Sequence, residues 1–391
     1  IKKIEVGDLE SQPGVRKILT GKDYENSGLG TLMCGWMIHS KDGSEMKSGL
    51  HPPLVLERAR YVGDPIAVVI ADSKEIARTI AESVEIKYEE LEVITLSNVF
   101  ERKTLIHENA DNNIAFDWEL GDFKAVKEAA ESSKYQIPLK LHNNRLAPNA
   151  METRCLNASY DERDDRYTLY IASQNPHGLR MTLSAVIGLA PENKLRVISE
   201  DVGGGFGSKA FNYSEEVVCA WASKIIGRPI KWMADRSEAF LTDAHGRDQI
   251  ADAEMYLDDQ KNILGLKVSI TANMGAYLST FGSLIPTYMC VPLLSGQYAI
   301  PAIYAEVKGV YTNTTPVDAY RGAGRPEAAF IIERLIDLAA RKTDTSPVTL
   351  RQKNFIQKFP YQTPVLSTYD CGDYEKVLST ALEMISFKNF E

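Results

Sequence analysis

Hydrophobic and polar positions change period several times along the chain. In "ADSKEIARTIAESVEIKYEEL", Ile76, Ala77, Ile80 and Ala81 fall at helical spacing, and Asp72 or Ser73 can cap the helix. Val84, Ile86 and Tyr88 then alternate with polar residues, as a half-buried strand does. Upstream, "LVLERARYVGDPIAVVI" (54–70) predicts two apolar strands around a turn at Val62-Gly63-Asp64-Pro65. Residues 21–50 hold Gly, Ser, Met and Asp without a period and read as a long surface loop. Residues 1 to about 105 thus read as a small α/β domain.

Beyond the polar crossover "HENADNNIAF", a second amphipathic helix is expected at 122–133, with Phe123, Val126 and Ala129 or Ala130 on one face. From about 136 the pattern alternates strands and loops, with strands expected at 167–173, 194–202, 229–235, 251–258, 263–273 and 303–313. Helices are expected at 213–226, ending at Gly227, and at 326–342, with Pro326 at the first position, where its missing N–H costs nothing. A shorter helix begins at Ser346-Pro347. The fold class is α+β, mixed α/β.

Composition narrows the partners. The 391 residues are 44% apolar and 25% charged, with a formal net charge of −9. That balance argues against nucleic acid, which wants clustered Lys and Arg. No apolar run approaches the roughly 18 residues that span a bilayer, so no membrane partner is expected. The five cysteines lie far apart with no CxxC, so neither a structural zinc site nor an iron–sulfur cluster is written here. Reduced, mostly buried thiols in a cytoplasmic protein are the simplest reading. The six histidines form no HxH or HxxxH pair, so no protein-ligated metal is expected.

Three segments carry candidate chemistry. In "EDVGGGFGSKA" (200–210), four glycines surround Phe206. Glycines there allow positive φ and close approach of the main chain to another group, and free N–H groups in such a turn bind anions. A bulge or tight crossing is the bland alternative. A phosphate loop fails, because Ser208 precedes Lys209 and Ala210 follows it. A Rossmann dinucleotide turn of an NAD-dependent oxidoreductase is closer, with Asp235 as the ribose acid, but its third glycine falls at Ser208 and residues 208–213 delay the helix. In "DAYRGAGRPEAAF", Arg321 and Arg325 flank Gly322, Ala323 and Gly324 just before a helix, a donor-rich loop suited to oxyanions. Alone it could be a charged helix start. In "IASQNPHGLR", Gln174 ends a strand and its amide can donate to an oxo or carbonyl group, although such a residue is more often part of a turn.

Taken together and in this order, "RYVGDPIAVVIAD", "NNRLAPNAMETR", "SQNPHGLR", "GGGFGSK" and "AYRGAGRPEA" resemble the molybdenum hydroxylases, the xanthine dehydrogenase and aldehyde oxidase family, and in particular the large subunit of carbon monoxide dehydrogenase-like enzymes. The resemblance covers nearly the whole chain. It implies an α/β hammerhead domain at 1–106, its start missing, a connecting segment with a helix at 107–135, and the first half of the molybdopterin-binding region at 136–391. It implies a molybdopterin, in its cytosine dinucleotide form, whose dithiolene holds the molybdenum, so that the protein supplies no metal ligand. The Phe206 N–H and the Gln174 side chain would face oxo groups of the metal. Gly204, Gly205, Gly207 and the loop Arg321, Gly322, Ala323 and Gly324 would line the cofactor and substrate. Gln174, Phe206 and Arg321 would be the catalytic residues of this chain. The implied reaction is hydroxylation with water as oxygen source, with electrons leaving through a [2Fe–2S] small subunit and a flavin (FAD) medium subunit.

The sequence also departs from the family. The family's general base is a glutamate in a Gly-Glu motif of the second molybdopterin-binding half, and this chain has no Gly-Glu. The resemblance therefore implies a second half or chain that carries the glutamate, and inactivity of this chain alone. Carbon monoxide oxidation in the family uses a cysteine in an AYRCSFR loop, where this chain has Gly322. Purine-oxidising members place a phenylalanine at Ala323 and a glutamate at Ala210. An aldehyde or an aromatic heterocycle is the expected substrate. A non-catalytic scaffold remnant of the family is the remaining alternative.

Overall fold

The computed structural model describes residues 1–389. The chain opens with β1 (Lys3–Glu5), β2 (Val15–Thr20), α1 (Gly21–Asn26), β3 (Ala67–Ala71), α2 (Lys74–Ser83) and β4 (Glu85–Lys87). β1 pairs antiparallel with β4, and β2 with β3. Of the two candidate caps, Ser73 starts α2, its hydroxyl accepting the Ile76 N–H at 3.3 Å.

Two expectations fail in this region. Only β3 forms within 54–70. Leu54 and Val55 are 2% and 1% exposed, and the Asp64 carboxylate takes the Arg60 N–H at 2.8 Å, so the upstream half is bent into the interior instead of extended. The surface loop expected at 21–50 is indeed largely exposed and irregular after residue 26, but it fails in part, since α1 starts it and it buries Leu32, Cys34, Ile38 and Met46. An aperiodic segment can still be buried when each apolar side chain finds its own hole, and period alone does not reveal that.

Next come β5 (Ile114–Gly121), α3 (Phe123–Ser132), β6 (Tyr135–Asn143), β7 (Cys155–Asp161), β8 (Arg166–Ile171), α4 (Pro176–Met181), β9 (Leu195–Ile198), α5 (Ser214–Ile226), β10 (Ile230–Met233) and α6 (Arg236–Thr242). The remaining principal elements are β11 (Gln249–Leu257), β12 (Ile263–Gly275), β13 (Ile303–Tyr311), α7 (Arg325–Lys342), α8 (Pro347–Asn354) and α9 (Tyr374–Met384). The strands expected from 136 onward all appear, most of them ending earlier. In α3, Val126 and Ala129 are buried but Phe123 is 53% exposed. The segment 107–135 also contributes β5, which the sequence pattern did not single out.

Five strands form a mixed sheet in the order β5-β13-β12-β11-β6, with only the β13–β12 pair parallel. Four more run β10-β7-β8-β9, parallel only between β8 and β9. The larger sheet buries one core with α7, whose Ala328, Ile331, Ile332, Leu335, Ile336 and Ala339 recur at helical spacing. Cys34, Ile38, Met46 and Ile106 join that core. The smaller sheet packs with α5, and Leu19, Tyr24, Leu54 and Ile70 join it. The early residues therefore share both cores with the later strands. Gly227 ends α5 at φ 61°, the left-handed position glycine adopts without strain. Among the described residues no helix is long and apolar enough to cross a membrane.

Candidate functional site

The Rossmann alternative is not supported by this topology. Its two strands would flank one helix as neighbours, whereas β9 and β10 stand at opposite edges with β7 and β8 between them. α5 starts only at Ser214, well beyond the last glycine of the run.

Three loops meet instead. Gln174 follows β8, and its Oε1 accepts the Gly207 N–H at 2.9 Å. Its backbone N–H donates to Lys209 O at 2.8 Å. On the other side, Arg321 N–H donates to Phe206 O at 2.9 Å. The structure thus brings together Gln174, the run Gly203–Gly207 and the loop at Arg321. Asn175 caps α4 by accepting the Gly178 N–H at 3.0 Å, which fixes where Gln174 leaves the strand.

Sterics explain the glycines. At Gly207, φ is 106° and a Cβ would lie 2.5 Å from Ala319 O, so the two loops touch only because the side chain is absent. A Cβ at Gly205 would collide with the Gln174 carboxamide. Phe206 itself sits at φ 53° and Ala323 at φ 42°, left-handed conformations that side chains adopt at a cost. Such strain persists where the surroundings over-determine it.

The donors are then divided. Gly203 N–H goes to Glu152 Oε2, Gly204 N–H to Val202 O and Gly207 N–H to Gln174. Phe206 N–H has no acceptor among the described residues, nor does the Gln174 Nε2. In the second loop the N–H groups of Gly322 and Gly324 are likewise open, while Ala323 N–H bonds to Tyr320 O at 2.8 Å. The two arginines differ. Arg325 folds back onto Gly322 O and Ala323 O, at 3.4 and 3.3 Å. Arg321 is exposed, and its guanidinium has no hydrogen-bond partner among the described residues.

Residues not assigned a role from sequence hold both loops. Arg247 donates to Tyr320 O at 3.0 Å and Arg321 O at 2.8 Å, and pairs with Glu327 at 3.2 Å. Burial pushes the Glu327 carboxyl up, with Arg247 opposing the shift. Asp318 is fully buried and accepts the Phe281 and Ala319 N–H groups at 2.8 and 2.7 Å; burial still pushes its carboxyl up to about 7. Glu152 lies within the quoted "NNRLAPNAMETR", but nothing in its spacing pairs it with Lys209, 57 positions on.

Uncommitted backbone and amide donors beside Arg321 can take up acceptor oxygens of a ligand. Residues 106–355 match the molybdopterin cofactor-binding domain, and residues 1–92 match the aldehyde oxidase and xanthine dehydrogenase a/b hammerhead domain. The chain belongs to the molybdenum hydroxylase family. It is 33% identical, over 99% of its length and 49% of the relative's, to the carbon monoxide dehydrogenase large chain of Hydrogenophaga pseudoflava. It is 30% identical to the nicotine 6-hydroxylase large subunit of Paenarthrobacter nicotinovorans, across 99% of this chain and 47% of that one. Among solved structures, quinoline 2-oxidoreductase from Pseudomonas putida 86 superposes with a TM-score of 0.91 at 28% identity, covering 99% of this chain and 49% of the other. The chain spans about half the length of the relatives it matches.

Proposed function

We propose that this chain is the molybdopterin-binding portion of a molybdenum hydroxylase that oxidises an aldehyde or an aromatic heterocycle with water as oxygen source. The observation that carries the reading is the convergence of Gln174, Phe206 N–H and the Arg321 loop with their donors uncommitted. That donor set suits the oxygens of a molybdopterin in its cytosine dinucleotide form. When bound, such a group supplies a metal centre that takes two electrons from the substrate. Phe206 N–H and Gln174 Nε2 donate to acceptor oxygens at that centre. Arg321, Gly322, Ala323 and Gly324 line its edge, with Gly204, Gly205 and Gly207 giving the backbone its close approach. Removing one such donor costs about 10²–10³ in rate at oxyanion sites.

A second molybdopterin-binding half, on a continuing or separate chain, supplies the general-base glutamate and the rest of the cradle. The 49% coverage of the carbon monoxide dehydrogenase large chain supports this, and on this reading the present residues alone do not turn over. A [2Fe–2S] subunit and a flavin subunit accept the electrons. Gly322 has no sulfur to hold copper, which disfavours carbon monoxide as substrate. The small Ala210 and Ala323 favour an aldehyde or an aromatic heterocycle other than xanthine.

The test is purification through a tag on this chain from its native source. Metal analysis, identification of co-purifying chains and dye reduction with aldehydes and N-heterocycles follow. Stoichiometric molybdenum with an iron–sulfur and a flavin partner is expected. A metal-free protein without partners would favour the scaffold remnant, and copper with carbon monoxide-dependent reduction would overturn the substrate class.

A further inference from the structure

The segment Gly203–Lys209 is held at both ends by one ion pair, Glu152–Lys209. Glu152 lies between β6 and β7. Its Oε2 accepts the Gly203 N–H at 2.9 Å and the Lys209 Nζ at 2.7 Å. Gly203 begins the run and Lys209 closes it. The Lys209 side chain is 1% exposed, and among the described residues its ammonium has no hydrogen-bond partner other than Glu152. Lys209 also reaches the third loop through its backbone, since its carbonyl accepts the Gln174 N–H at 2.8 Å and the Ser173 hydroxyl at 3.3 Å.

A buried ammonium is expensive to desolvate, and an apolar pair of similar volume could serve packing alone as well or better. Here both charged groups are bonded to the loop that carries the open donor. By taking the Gly203 N–H, Glu152 also removes one donor from the run, so that the open N–H at Phe206 is one of few. Burial works to raise the Glu152 carboxyl, but Lys209 and the Gly203 N–H outweigh it and hold it below the usual carboxylate range, so Glu152 is a carboxylate at neutral pH.

We infer that Glu152 and Lys209 are positioning residues: their ion pair clamps the two ends of Gly203–Lys209 and thereby sets where the Phe206 N–H and the Gln174 amide point. Neither side chain touches the reacting atoms in this scheme. The inference rests on the proposed function for its catalytic meaning, but its structural content is separable.

Full-length chain, purified with whatever partners it carries, is compared as wild type, Glu152→Ala, Glu152→Gln and Lys209→Met by hydrogen–deuterium exchange of peptides covering 200–210. Glu152→Ala and Lys209→Met should speed exchange of the 203–207 amides about tenfold, with little change in α5 or α7. Glu152→Gln keeps an acceptor for Gly203 N–H without the charge, and should give a smaller acceleration of about threefold. This graded rescue is what a purely bulk-packing role would not produce. In the molybdenum-loaded protein, kcat should fall about tenfold with KM nearly unchanged, the signature of a lost transition-state alignment. Unchanged 203–207 exchange in both Glu152 variants overturns the clamp, even if metal and turnover are normal. Local acceleration in a protein that never binds molybdenum supports the clamp and sinks only the proposed function. Should Glu152→Ala and Lys209→Met fail to fold, the near-isosteric Glu152→Gln decides by the same exchange measurement.

Discussion

The two loops that meet at the site rely on sterics and on charge in different proportions. The Gly203–Gly207 run is shaped by missing side chains: at Gly207 a Cβ would strike Ala319 O, and at Gly205 it would strike Gln174. The Arg321 loop is shaped by a buried charge, with Arg247 gripping two of its carbonyls and neutralised by Glu327, at 7% and 2% side-chain exposure. Both solutions leave one ordinary residue, Phe206 or Ala323, in a left-handed conformation and leave N–H groups open. A steric contact fails when a side chain is added, as at Gly207, Gly205 and also Gly324, where a Cβ would lie 2.4 Å from Met289 C. A charge pair fails when a side chain is lost, as at Arg247–Glu327 and also Glu152–Lys209.

Breaking the charge-held loop should produce the largest effect. Arg247→Met leaves Glu327 buried without its cation, and should cost about 3–5 kcal/mol in denaturant unfolding. Adding Glu327→Gln should recover a large part of that, because the uncompensated charge is gone. Failure of the second change to recover stability would count against the charge-based account. The steric loop should answer next. Gly207→Val at φ 106° should cost about 3 kcal/mol, through the clash and the backbone strain, and should separate Phe206 O from Arg321 N–H.

A smaller effect is expected in the pH dependence of stability. The Asp318 carboxyl is raised from 3.8 to about 7, so between those values the folded protein holds a proton that the unfolded chain releases. Its contribution is present at low pH and is lost as pH rises through about 7. Replacing it by asparagine should flatten that part of the melting temperature–pH curve, and an unchanged slope would show that other buried acids such as Glu216, pushed up to about 8, dominate. The smallest effect belongs to Phe206→Ala. Its ring is 41% exposed and alanine at φ 53° meets the same backbone, so less than about 1 kcal/mol should be lost. Equal damage from Phe206→Ala and Gly207→Val would mean that the aromatic ring, and not the N–H it positions, is what matters.

Legibility in the sequence was uneven for identifiable reasons. Helix α7 was plain because Pro326 marks its start and its apolar residues keep one period over many turns. The strands β11, β12 and β13 were plain because alternation persists along them. The burial of Leu32, Cys34, Ile38 and Met46 is hidden from pattern because they are buried singly, at positions that follow no repeat. In the upstream half of 54–70 apolar content does not mean extension, because Leu54 and Val55 are anchored in a bend. Of the site, Gln174, the glycine run and the Arg321 loop were each visible as local chemistry. Glu152, Arg247 and Glu327 were not, because a charge reveals no partner 57 or 80 positions away.

The sequence by itself determined the local vocabulary of this protein: where glycine permits positive φ, where a helix can start, which strands can face two ways, and which family those motifs resemble. It also determined the donors, since a main-chain N–H at Phe206 exists whatever the fold. Only the tertiary structure decided which of those donors remain open. Gly203 and Gly207 spend theirs on Glu152 and Gln174, residues from separate stretches of chain, while Phe206 keeps its own. The reason is geometric: hydrogen bonding is exclusive and short-ranged, so the use of a donor is set by what the fold brings within about 3 Å of it.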